Sequence, residues 1–210
     1  MSQWIDISQV LNNNLAHWPE DEPFHYNTAV TKEMSGSVNI GKITTSAHIG
    51  THVDAPFHFI NDGKRILDLD IERYIGPCRV IDLSDFDEIS EKALKTKGIS
   101  HAERLLIKTA LPNKPDRFPA EVSPVTADGA AYMKELGVRL VGVDTPSVDS
   151  ISSKDLTGHH ALYNHDIYIL ENVMLDQIEE GDYELIALPL ALEEGDGSPV
   201  RAVIKPIEEC

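Results

Sequence analysis

Apolar residues in the first half of the chain gather in short β-like runs, at Trp4 to Val10, Tyr26 to Thr31, Val38 to Ala47, Cys78 to Leu83 and Arg104 to Thr109. Each run is bounded by polar, Gly or Pro residues, the punctuation expected of strands. The pattern changes at Thr126, where TADGAAYMKELG reads as a helix: Thr126 can cap its first turn, and Gly137 stands where helices end. The run VRLVGVD then returns to strand. A second helical stretch is expected around Lys154 to Asn164, followed by apolar strands at Ile167 to Leu170, Glu184 to Leu192 and Val200 to Lys205. No internal repeat, low-complexity tract or linker interrupts this order. Residues 1–210 therefore read as a single domain of the α/β class in which strands predominate.

Composition narrows the possible partners. With 41% hydrophobic and 25% charged residues the chain can bury a packed core and lacks the signature of disorder. Its 18 basic residues against 35 acidic ones leave a formal net charge of -17, which repels phosphate backbones and anionic lipid surfaces. Neither nucleic acid nor a membrane is an expected partner. The opening MSQWIDISQVLNNN has no basic leader and no apolar stretch of secretory length, and no later run approaches ~20 apolar residues, so a cytoplasmic location is expected. Cys78 and Cys210 are the two cysteines, too few for a disulfide framework or a paired CxxC zinc module. Any metal must then sit on His and carboxylates.

The nine histidines are unevenly placed, and three of them fall with a carboxylate in the eleven positions His48-Ile-Gly-Thr-His52-Val-Asp54-Ala-Pro-Phe-His58. Imidazole nitrogen and carboxylate oxygen bind zinc at ~2.0 to 2.2 Å, so the backbone must bring the ligands close together. Fully extended at ~3.3 Å per residue, His48 and His52 would stand roughly 13 Å apart, and the chain must bend between them. Gly50 can take the backbone angles such a bend needs. His52 and Asp54, two residues apart, project from one face of an extended segment and can share an ion. Pro56 keeps the chain out of helix after the turn, and His58 then lands on the same side. An imidazole beside a metal but not bound to it is suited to moving protons near neutral pH, and His58 is assigned that general acid/base role.

A second cluster follows in TGHHALYNHDIYILEN. Adjacent His159 and His160 cannot both easily face one ion. Ile167, Ile169 and Glu171 share a strand face, where a cation or solvent at the strand end would satisfy the carboxylate. His165 reads as a surface residue. Asp144 and Asp149, in VDTPSVDS, are explained as well by an ordinary turn as by a supporting role, and Asp196-Gly197 is a sufficient turn signal by itself.

Together the HIGTHVDAPFHF segment, Trp18-Pro19, the VGVDTPSVDS stretch, the HHAL and ILEN runs and the ending YELIALPLALEEGDGSPVRAV resemble the metal-dependent cyclase-like hydrolases over nearly the whole chain. The likeness is greatest to bacterial members that cleave N-formyl-L-kynurenine. That resemblance implies zinc, two ions per chain, with His48, His52 and Asp54 holding one. Asp54 and Glu171 would be shared with the other, which His160 would complete. It implies His58 as the catalytic residue and Trp18 as a wall for the substrate, a homodimer, and a swivelling β/β/α fold. The implied reaction is hydrolysis of N-formyl-L-kynurenine to L-kynurenine and formate in tryptophan degradation. Two alternatives remain open: another amide hydrolase on the same scaffold, opening a cyclic amide such as isatin, and a metal-binding protein without catalysis.

Overall fold

The computed structural model describes residues 3–111 and 113–207; Cys210, and Met1 and Ser2 of the opening segment, lie outside the described residues. The chain runs β1 (Ile5–Asp6), β2 (His25–Val30), α1 (Lys32–Ser35), β3 (Ile40–Thr44) and β4 (His52–Asp54), then through 3₁₀ turns at Pro56–His58, Ile66–Asp68 and Ile71–Tyr74. It continues with β5 (Ile75–Asp82), α2 (Glu91–Lys95), β6 (Arg104–Lys108), α3 (Ala127–Glu135), β7 (Leu140–Val143), α4 (Thr157–Asn164) and β8 (Tyr168–Glu171). Strands β9 (Gly181–Ile186), β10 (Gly197–Pro199) and β11 (Val203–Pro206) complete it. This is the strand-rich α/β class that the sequence pattern implied.

Nine strands form one mixed sheet in the order β1-β11-β9-β5-β6-β7-β8-β4-β10, and β2 and β3 pair separately as a hairpin. Strands β5 to β8 are parallel, each crossover carrying one of the helices α2, α3 and α4; the flanking pairs are antiparallel. Alternation along the central strands fills a core on each face. Leu105, Ile107, Val141, Val143 and Ile169 pack with Leu94, Met133 and Leu162 of the three helices. Their neighbours Leu106, Leu140 and Leu170 turn the other way, towards Val53, Tyr74, Leu185 and Ile204.

Helix α3 begins as expected, with Thr126 Oγ1 accepting the Gly129 N–H at 3.2 Å, and it is followed by Gly137 at φ +84°. Other boundaries move for local reasons. The strand expected from Glu184 to Leu192 ends at Ile186, short of Pro189, which has no N–H to give a ladder. Of Trp4 to Val10 only Ile5–Asp6 forms a strand, paired with β11. Thr31 caps α1 instead of continuing β2, and the Asp196-Gly197 turn signal leads directly into β10. No helix among the described residues is long and apolar enough to cross a membrane.

Candidate metal centre

Strand β4 lies between β8 and β10, and this position assembles the site. His52 and Asp54 point to one side while Val53 enters the core on the other. Across the β4–β8 ladder, His52 is the register partner of Glu171. His48 is folded back by Gly50, whose φ of +58° supplies the bend that the spacing required. On the far side, a Cβ on Gly197 would lie 2.6 Å from His48 Cε1, so the imidazole needs glycine at that point of β10.

The side chains converge on Asp54. Its Oδ1 is 2.9 Å from His48 Nδ1 and 3.4 Å from His52 Nε2. Its Oδ2 is 3.3 Å from His159 Nε2, which lies 3.8 Å from Glu171 Oε1, and Glu171 Oε2 is 3.4 Å from His52 Nε2. Three donor groups result, two of them sharing Asp54, namely His48 with His52 and Asp54, and Asp54 with His159 and Glu171, and a third made by His48 with His58 and Asp196; in each the donor atoms lie within 4.8 Å of one another. His52 Nε2 and Asp54 Oδ2 are buried without any hydrogen-bond partner. A buried unpaired carboxylate oxygen is costly, and a cation satisfies it. The His52 Nδ1–H donates to the Gly50 carbonyl at 2.9 Å, which leaves its Nε2 as the free donor atom. This nitrogen and oxygen set fits a divalent cation such as zinc.

Electrostatics bind the cluster together. Burial alone would lower the imidazole pKa values, but it is outweighed by adjacent carboxylates. Bonds to Asp196 and Asp54 carry His48 to about 9, and the nearby carboxylates of Asp54 and Glu171 carry His52 to about 10. Bonds to Asp149 and Asp54 likewise raise His159 to about 10. Burial would raise Asp54, yet the imidazoles of His159, His48 and His52 set around its carboxylate hold it well below the usual carboxylate range. Glu171 is pushed up by burial and by the charge of Asp54.

The assignment of His160 is corrected: its neighbour His159 is the residue that joins Asp54 and Glu171. On α4, Gly158, His159, Ala161 and Leu162 form the buried side, whereas His160 is exposed with Tyr163 and Asn164. Positions 158, 159, 161 and 162 recur at the i, i+3, i+4 spacing of one helix face and leave 160 outside it, so helical phase is the signal that separates the two histidines. Asp149 and Asp196, both explicable as turn residues, also reach the cluster. Asp149 Oδ2 accepts from His159 Nδ1 at 2.6 Å, and Asp196 Oδ2 lies 3.1 Å from His48 Nε2 and 3.8 Å from His58 Nδ1. The bond from His48 holds the Asp196 carboxyl down to about 2.

His58 sits on the 3₁₀ turn Pro56–His58 with its ring 3.9 Å from that of His48, and burial lowers its pKa. It belongs to neither of the two donor groups around Asp54 but to the third, with His48 and Asp196. A cavity of about 210 Å³ opens onto His48, His52, His58, His159 and Glu171, and Trp18 stands in its wall. Trp18 is half-buried and packs edge-on against Phe118, with ring centroids 4.9 Å apart.

The Cyclase family model matches residues 5–150. The chain belongs to the cyclase family. That match covers the segment from His48 to His58 but stops before His159 and Glu171. Relatives extend it: a kynurenine formamidase of Bacillus cereus is 56% identical over 206 residues, 98% of this chain and 99% of its own length. One of Bacillus mycoides is 57% identical over the same spans. The cyclase fold is also that of a solved potential metal-dependent hydrolase with cyclase activity, with a TM-score of 0.85 over 100% of both chains at 24% identity. Isatin hydrolase A from Labrenzia aggregata shares it as well, with a TM-score of 0.82 over 99% of this chain and 94% of its own at 22% identity. At these identities the two structures speak to the cyclase fold alone.

Proposed function

We propose that this protein hydrolyses N-formyl-L-kynurenine to L-kynurenine and formate, using two zinc ions per chain. The observation that carries the reading is the meeting of two three-residue donor groups on the single carboxylate of Asp54, whose other members His48, His52, His159 and Glu171 line a cavity walled by Trp18. The name of the Bacillus relatives supplies the substrate. His48, His52 and Asp54 would hold one ion; Asp54, His159 and Glu171 would hold the other. When bound, such ions make water acidic enough to provide hydroxide near neutral pH and polarise a carbonyl oxygen.

The chain's own groups account for the rest. His58, kept neutral by burial, accepts a proton from the attacking water and returns it to the departing anilinic nitrogen as the C–N bond of the formamide breaks. Trp18, its ring braced edge-on by Phe118, offers a flat apolar wall for the aryl ring. A homodimer belongs to the same reading, supported by the exposed apolar side chains Tyr26, Met34, Val38, Ile40 and Ile43 on and beside the β2–β3 hairpin. A cytoplasmic setting belongs to the same proposal.

The test is turnover by purified protein of N-formyl-L-kynurenine, and of isatin in parallel, with and without a chelator. Release of kynurenine that the chelator abolishes supports the proposal. Turnover of isatin alone would transfer it to the cyclic amide, and no turnover of either would leave a binding protein.

A further inference from the structure

Building on the reading of His159 as a metal ligand, we propose that Asp149 is a positioning residue that fixes the tautomer of His159, so that its Nε2 lone pair faces Asp54 and Glu171. Asp149 is 1% exposed, and its carboxylate is fully engaged. Oδ2 takes the His159 ring Nδ1–H at 2.6 Å and the His159 backbone N–H at 3.0 Å. Oδ1 takes the Gly158 N–H at 2.7 Å and the Thr157 hydroxyl at 3.3 Å. An ionised carboxylate can only accept, so the Nδ1 atom of His159 must carry hydrogen. In the neutral ring Nε2 is then bare, and it is Nε2 that stands 3.3 Å from Asp54 Oδ2. An outer carboxylate that holds a histidine in this way also makes the ring a better ligand.

The geometry around Asp149 is built for this contact. A Cβ on Gly158 would lie 2.6 Å from the Val148 carbonyl oxygen, so glycine lets the start of α4 press against the chain that carries Asp149. Gly50 supplies the matching restraint on His52 through its carbonyl. Asp149 has a structural duty as well. Leu156, at the N-cap of α4 with φ +44°, has no side chain that can cap, and Asp149 takes the first free N–H groups in its place. The experiment must separate these two roles.

Asp149→Asn does so, because its carbonyl oxygen can still accept the Gly158 N–H and cap the helix. Its NH2 group would replace Oδ2 and face two N–H donors of His159. The clash with the ring is relieved when the ring shifts its hydrogen to Nε2, the atom needed for the ion, while the backbone N–H of His159 is left without its acceptor. The expected result is a circular dichroism spectrum like that of the wild type, with one of two zinc ions bound about 10- to 100-fold more weakly in competition with a chromophoric chelator. Nitrogen-15 spectra of zinc-loaded wild type should show the His159 hydrogen on Nδ1, a readout that does not depend on how the variant folds. A hydrogen on Nε2 there, or wild-type zinc affinity in folded Asp149→Asn, overturns the proposal. His159→Ala is the control: if it too binds zinc like wild type, the ligand reading of His159 has failed, and if it alone loses an ion, only the role of Asp149 has.

Discussion

His52 and Glu171 are register partners across the β4–β8 ladder, and their side chains meet at 3.4 Å on the buried face of that pair. Opposed residues in an antiparallel pair stand close together, so the ladder sets His52 of one donor group beside Glu171 of the other and is itself the template of the site. Glu171→Ala should therefore remove one ion and leave the His48, His52 and Asp54 group in place. The expected outcome is about half the wild-type zinc content by elemental analysis and at least ~100-fold slower hydrolysis. Full zinc content in the variant would count against the ladder as template.

The two adjacent histidines of α4 offer a sharper contrast. His159 is 3% exposed against Asp54 and Glu171, whereas His160 stands in solvent with its ring 5.7 Å from Phe59. His160→Ala should change stability by no more than ~0.5 kcal/mol in urea unfolding and leave zinc content and turnover as they were. His159→Ala should lose an ion and activity together. Equal effects of the two substitutions would contradict the helical phase described here.

What the sequence made legible follows the range of the interactions involved. His48, His52 and Asp54 could be grouped because Gly50 states locally where the chain bends, and it takes the left-handed angle this required. The extended or loop run expected after Pro56 is instead the 3₁₀ turn Pro56–His58, which proline opens because its fixed φ and missing N–H suit a first helical position. Glu171 could be placed on a strand face, but its pairing with His52 is a contact between distant segments that no local pattern encodes. The doublet leaves His159 and His160 open and the resemblance implies His160; the phase of α4, in which Leu162, three residues beyond His159, marks the buried side, favours His159 instead. Asp196-Gly197 does obey turn grammar. That grammar is silent on the fact that the residues after the turn become β10 and bring Asp196 to His48. The parallel centre of the sheet was well signalled by apolar runs, whereas β9 was displaced because Pro189 was counted inside a strand.

His58 should separate chemistry from binding. It lies beside His48 but outside both donor groups around Asp54, so His58→Ala is expected to keep its zinc while kcat falls by ~10² to 10⁴-fold. Because burial lowers its pKa below the ordinary 6.5, the imidazole is neutral and ready to accept a proton throughout the neutral range. The acid limb of the kcat/KM profile should accordingly fall below pH 6.5 in wild type and vanish from the residual activity of the variant. An acid limb that survives the substitution unchanged would assign it to another group.

Removal of the metal should reverse the ordinary effect of alkali on the site. In the metal-free cluster His48 titrates at about 9 and His52 and His159 at about 10, because carboxylate bonds outweigh burial, while an unfolded chain has His near ~6.5. Folded values above the unfolded one mean that this stabilisation is complete below ~6.5 and is lost as pH rises through 9 to 10. The Tm of chelator-treated protein should therefore decline between pH 7 and 10. A cation needs the same imidazoles neutral, so zinc binding near pH 7.5 must expel hydrogen ions, up to about three per chain. Calorimetric titrations in buffers of different ionisation enthalpy measure that number. The zinc-loaded protein, whose imidazoles hold metal instead of hydrogen, should keep its Tm across the same window; a flat Tm in the metal-free protein, with no release on zinc addition, would show the cluster to be neutral from the start.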